Sequence, residues 1–288
     1  VLAVVLIVEL LAALVLVSPV AVAPGAGGGA ASATSSTPSV GARTPSAPST
    51  LVLGDGRTVH LLGLGGASTQ VLLARVAAQV GAAVEAVVQF WGADWQRDIV
   101  IVATGSDEQF RQLTGGPAGV QWVDVAAAAV ADRVDPDRRT ATGQRVVFAP
   151  GAAAMSDYAL KIVLRHELFH FASRAETALD APRWLVEGVA DFVGRPPTPR
   201  PGPASAAALA TLPPDADFDT SGAAQSLAYD RAWWFTRFVA DTYGTATLRA
   251  LYLCAGGTGH PDAATAIQQL LGAQQADVLS HWRRWLAG

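Results

Sequence analysis

Apolar residues recur at helical spacing from about Thr69 to Trp91, "TQVLLARVAAQVGAAVEAVVQFW", and predict a long amphipathic helix. Just before it, "LVLGDGRTVHLL" holds two short β-like runs about Gly54-Asp55-Gly56, the pattern of a hairpin. After it, "RDIVIVA" predicts a short buried strand. "SDEQFRQLTGG" predicts a helix with Ser106 or Asp107 as N-cap, acidic residues in its first turn and Gly115 at its end. The segment "VDVAAAAVADRV" is ambiguous between helix and strand, and the turn-rich "DPDRRTATGQ" leads from it to "RVVFAP", a strand.

Beyond Gly151 the period is helical throughout, with breaks at "GRPPTPRPGP" and "LPPDADFDTSG". "LAYDRAWWFTRFVADTYG" and "ADVLSHWRRWLAG" are strongly amphipathic, and their tryptophans read as core anchors. The expected fold class is therefore α+β: a mixed α/β part over residues 51–151 and a helical part over 152–288.

Ahead of Leu51 the pattern changes twice. Residues 1–23, "VLAVVLIVELLAALVLVSPVAVA", are apolar except for Glu9, Ser18 and Pro19, and read as an export segment. Ala21-Val22-Ala23 has the small-x-small form of a cleavage site and Pro24 opposes cleavage there, so signal peptide and uncleaved membrane anchor both remain open. Residues 24–50 are almost entirely Pro, Gly, Ala, Ser and Thr, which cannot bury enough surface to offset ordering, and read as a flexible tether. No cation precedes Arg43, so nothing holds the far side of the segment in the cytoplasm, and the bulk of the chain is expected outside.

Composition narrows the chemistry. Of 288 residues, 51% are hydrophobic and 15% charged, enough apolar chain for one large core or two lobes. The formal net charge of −4 and the absence of a basic cluster argue against a nucleic-acid partner. Cys254 is the single cysteine, so an intrachain disulfide and a thiolate-based metal site are both excluded.

Against that background, "LKIVLRHELFHFASR" is unusual. With five His and six Glu in the chain, a chance His-Glu-x-x-His string is expected only about 0.002 times. Ser156 or Asp157 can cap a helix running to about Phe171. Positions i and i+4 share one face, so His166 and His170 can converge on one ion, while Glu167 is turned aside to meet a water. A catalytic zinc takes three protein ligands and keeps a fourth position for water. The third is expected downstream in "APRWLVEGVADFVG", a helix carrying Glu187, 17 positions after His170. Asp191, one turn later on the same face, can accept the other ring N–H of a ligand histidine, and His166 is the expected partner.

His166-Glu167-Leu168-Phe169-His170 followed by Trp184-Leu185-Val186-Glu187-Gly188-Val189-Ala190-Asp191 resembles the gluzincin zinc metallopeptidases, in the bacterial peptidase MA-like group with its HExxH…WLxEGxAD pattern. The resemblance runs from about Thr69 to the C-terminus, with a shorter gap to Glu187 than in thermolysin or the large aminopeptidases. It implies a zincin-like fold with a cleft between the two parts. It also implies Zn2+ bound by His166, His170 and Glu187, and Glu167 as general base for hydrolysis of a peptide or protein substrate.

Tyr229, in "SLAYDRAWW", falls where related peptidases carry a tyrosine that stabilises the oxyanion; a core tyrosine is the alternative, and His260 is the second candidate donor. His60 and His281 read as surface or packing residues. "RVVFAP" is either the edge strand that pairs with an extended substrate or an internal strand. No acidic motif suited to a free N-terminus precedes the zinc helix, which favours an endopeptidase. The rival expectation is a tethered extracytoplasmic binding or scaffold protein that keeps the fold without proteolysis.

Overall fold

The computed structural model describes residues 4–5, 8–9, 48–115 and 125–288. The export segment expected over 1–23 and the tether over 24–50 lie outside the described residues, apart from two short strands, β1 (Val4–Val5) and β2 (Val8–Glu9), and residues 48–50. The chain is a mixed α+β protein, with its described strands in the N-terminal half, in one large and one small sheet, and mostly helices thereafter.

A hairpin opens the sheet, as expected. Strands β3 (Ser49–Val52) and β4 (Thr58–Gly63) pair antiparallel about a turn in which Gly56 takes φ 82° and Leu53 N–H donates to Arg57 O. Helix α1 (Ala67–Trp91) follows, and it is the one described helix long and apolar enough to cross a membrane. Here its buried stripe, from Leu72 through Val80 to Trp91, packs instead into the core with α3. Strand β5 (Asp98–Ala103) runs parallel to β4. Helix α2 (Asp107–Thr114) starts at Ser106, whose hydroxyl accepts from Gln109 N–H, and stops at left-handed Gly115.

The ambiguous alanine run is a strand, β6 (Val125–Ala131), buried along its whole length. The end of the ambiguous run and the stretch read as a loop after it form a second small sheet, β7 (Arg133–Asp135) with β8 (Thr140–Thr142), joined by a 3-10 turn. β9 (Arg145–Phe148) then lies between β5 and β6, parallel to the first and antiparallel to the second. "RVVFAP" is therefore internal, which corrects the edge-strand expectation: its backbone groups are already used on both sides. The outermost of the five longer strands at this end is β6, whose outer side carries β1 and β2.

The two faces of the sheet divide by strand alternation. Val59, Ile99, Ile101, Ala127, Ala129, Val146 and Phe148 face α1 and the helical half, whereas Val102, Ala128, Val130 and Val147 face Phe110 of α2. The helical half then runs through α3 (Asp157–Ser173), α4 (Arg183–Gly194), α5 (Pro203–Leu209), α6 (Ala223–Tyr243), α7 (Thr245–Gly256), α8 (Ala263–Leu271) and α9 (Gln275–Ala287). α3 lies between the sheet and α4, and α4 packs closely on α6. Of the tryptophans expected as anchors, Trp233, Trp234 and Trp282 are buried, Trp282 edge-on to Phe235, and Trp285 is half-buried against the core.

Candidate metal centre

Two helices bring the chemistry together. α3 begins where the Ser156 hydroxyl accepts from Ala159 N–H, with Asp157 in its positive first turn. Its apolar residues Leu160, Val163, Leu164, Leu168, Phe169 and Phe171 fix the helix in the core, so the histidines between them are carried inside. A 3-10 turn at Arg174–Glu176 returns the chain to α4, which presents Glu187 and Asp191 to α3.

His166, His170 and Glu187 form a buried group that can hold a metal ion. His166 Nε2 and His170 Nε2 are 2.8 Å apart, and Glu187 Oε2 lies 3.3 Å from the first and 3.5 Å from the second. Donor atoms bound tetrahedrally at about 2.0–2.1 Å stand about 3.3–3.4 Å from one another. Two of the three separations already match that figure, and the third is a hydrogen-bond distance shorter by about half an ångström. Both oxygens of Glu187 are buried without a hydrogen bond of good geometry, and Oε2 faces the two imidazoles at 3.3 and 3.5 Å. A buried carboxylate without hydrogen bonds is costly unless a cation answers it, so the residues present fit a metal ion by chemistry as well as by distance.

The electrostatics agree. Burial opposes charge on His166, but the hydrogen bond to Asp191 and the adjacent Glu187 carboxylate outweigh it and push its pKa up to about 10. Burial draws His170 down to about 4, which leaves its imidazole neutral. Burial would raise Glu187, yet the neighbouring imidazoles of His170 and His166 hold it well below the usual carboxylate range. The two carboxylates on His166 thus favour its protonated form over that of His170. A metal ion competes for the same lone pair, so binding releases that proton.

Asp191 does what its position suggested: its Oδ1 lies 2.9 Å from His166 Nδ1, which fixes the ring so that Nε2 points at the cluster. Asp191 Oδ2 in turn sits 2.6 Å from Arg195 Nη2, and Arg195 Nη1 donates to Asp230 Oδ1 of α6 at 2.8 Å. The sequence reading missed Arg195 and Asp230; an acid followed by a base four positions later on one helix was the available signal.

Glu167 is not in the ligand triangle. Its Oε2 accepts from the backbone N–H of Ala129 in β6 at 2.6 Å, its Oε1 is buried without a partner, and burial pushes its pKa up to about 7. Arg174, also missed, donates from Nη2 to the carbonyl of the same Ala129 at 2.7 Å. Tyr229 is buried in α6 with its ring edge-on to Phe218; burial and then the Glu187 charge hold its hydroxyl well above its ordinary pKa. His260 is outside the group, 3.4 Å from Asp180, while His60 lies beside Asp98 on the sheet and His281 packs on Phe238. Scanned against protein-family models the chain matches none, and a search of curated proteins returns no match.

Proposed function

We propose that the chain is a zinc-dependent peptidase of the gluzincin kind, built on a zincin-like fold and working outside the cytoplasm. The observation that carries this reading is the convergence of three lone-pair atoms within 3.5 Å of one another, beside a buried carboxylate, Glu167, that is not one of them. Two nitrogens and one oxygen suit zinc, and three protein ligands rather than four are the number that leaves a position for reactants. Zinc held there supplies Lewis acidity, polarising a peptide carbonyl and lowering the pKa of water to about 7.

The chain's own residues do the rest. Asp191 keeps the His166 proton on Nδ1, so that Nε2 retains its lone pair. Glu167 takes a proton from the attacking water and later hands it to the leaving amine. Ala129 N–H fixes Oε2 of that carboxylate, which leaves Oε1 for the proton. A carboxylate whose pKa stands near 7 is suited to accepting and returning a proton at neutral pH. Tyr229 donates to the carbonyl oxygen as negative charge develops there. An endopeptidase is the better match, because no acidic motif precedes α3 to hold a free N-terminus.

One observation favours a second reading, a tethered binding or scaffold protein with a structural ion: His166, Glu167 and Glu187 are 0% exposed and His170 is 1% exposed. Digestion of a mixed peptide library separates the two. The peptidase reading expects cleavage that is abolished by a chelator and by Glu167→Gln, with about one zinc per chain retained in that variant. A zinc-loaded chain that cleaves nothing, or a Glu167→Gln variant that still cleaves, overturns it.

A further inference from the structure

Arg174 is a guanidinium only 4% exposed that feels the charges of Glu167 and Glu187, and its hydrogen bond goes to a backbone carbonyl. So buried a cation is rare without a specific duty. Arg174 directly follows the last residue of α3 and keeps right-handed helical backbone angles, so, seven positions on from Glu167, it stands about two turns away on roughly the same side. Both reach the same residue of the sheet. Glu167 Oε2 accepts from Ala129 N–H at 2.6 Å, and Arg174 donates to Ala129 C=O at 2.7 Å.

The two backbone groups point to the outer side of β6, where Ala131 pairs with Val4 of β1 and Ala127 with Val8 of β2 on either side of Ala129. Ala126 O accepts from Ala149 N–H on the β9 side, so the groups of Ala127, Ala129 and Ala131, in phase with one another, turn to the opposite side. At Ala129 they meet α3. The alanine side chain lets the helix approach closely enough for both long side chains to bond one residue.

We propose that Arg174 is a positioning residue: by holding the Ala129 carbonyl, it sets the Ala129 N–H on Glu167 Oε2 and so aims Oε1 of the base. This rests on the peptidase reading for its consequence in catalysis, but not for the contact itself. A base displaced by about 1 Å loses up to a hundredfold in rate. Arg174 acts through Ala129 and Glu167 and is not assigned any contact with substrate.

The test uses the full chain and two independent readouts. In 1H–15N NMR spectra, the Ala129 amide of Arg174→Met is expected to move toward the position it takes in Glu167→Ala, where its acceptor is gone. In steady-state hydrolysis of a peptide cut by the wild type, Arg174→Met is expected to lower kcat about ten- to a hundredfold with KM within about twofold. Zinc content stays at the wild-type level. Arg174→Gln, neutral and too short to reach the carbonyl, gives the same displacement and stands in where the Met variant does not fold.

An Ala129 amide unmoved in the neutral variants overturns the proposal, as does a raised KM at unchanged kcat, which would put Arg174 on the substrate. If the wild type hydrolyses nothing, the peptidase reading fails, and the amide shift alone still decides whether Arg174 positions Glu167.

Discussion

Gly188 directly follows Glu187, and its place between α4 and α6 makes it the most informative single substitution in the helical half. A Cβ built on Gly188 would stand 2.7 Å from Ala232 O, 2.9 Å from Ala232 C and 2.9 Å from Thr236 Cγ2. The first two atoms are backbone of α6 and cannot rotate away. To restore an ordinary contact of 3.4 Å, the helices must separate by about 0.7 Å at this point. Overpacking of this kind costs about 1–3 kcal/mol, and the bond from Thr236 Oγ1 to Gly188 O, 2.9 Å long, is stretched as well. Against this, alanine is favoured over glycine inside a helix by about 1 kcal/mol. The net loss for Gly188→Ala is about 2 kcal/mol, or about 4–8 °C in Tm for a chain of this size.

The same shift acts on the metal centre. Metal–ligand bonds tolerate about 0.2 Å, and Glu187 is carried by the segment that has to move by several times that distance. Zinc affinity is expected to fall at least tenfold, measured by competition with a chromophoric chelator. Gly81→Ala is the control. It lies in the middle of α1, where an added Cβ would meet nothing within 4 Å, so it gains helix propensity without a clash and raises Tm. A Gly188→Ala chain that melts with the wild type and holds zinc equally well would refute the reasoning, because α4 would then be free to yield without moving Glu187.

Three further outcomes are expected. Removing zinc with a chelator lowers stability by about 4 kcal/mol relative to the chain at a thousandfold excess of zinc over Kd, read as a concentration-dependent Tm; a Tm indifferent to zinc would deny the metal site. Asp191→Asn and Arg195→Met each weaken zinc binding about ten- to a hundredfold without removing a ligand, and unchanged affinity in both would mean that the Asp191 contact does not orient His166. Tyr229→Phe lowers kcat by about a hundredfold or more with little change in KM, whereas no effect on turnover returns the residue to a packing role.

The candidate metal centre was more legible than the sheet beside it, for a physical reason. A helix encodes its face in a fixed spacing, so His166 with His170, and Glu187 with Asp191, declare from spacing alone which atoms share a side. The 2.8, 3.3 and 3.5 Å separations and the Asp191 contact follow from two such spacings once α4 is laid against α3. Strand β6 offered no comparable signal. "VAAAAVA" carries alanine, which favours helix, between valines, which favour strand, and it becomes a strand only because β9 supplies partners for its backbone. The same lack of partners in sequence hid β8 within what read as a loop, and left open whether "RVVFAP" was internal.

What made β6 unreadable is also what brings it into the site. Ala127 and Ala129 face the core shared with α3, where larger side chains would hold helix and strand apart. With alanine there, a carboxylate on α3 accepts a backbone N–H of the strand at 2.6 Å, and a guanidinium two turns on reaches the carbonyl of the same residue. Arg174 could not be singled out from spacing because its partner is a backbone atom, and backbone atoms leave no mark in a sequence. The only trace was indirect: a charged residue just past the end of a helix whose Glu167 side also carries Leu160, Val163 and Leu164, all fully buried. On such a face an arginine has nowhere to be solvated, and its bond must be sought inside.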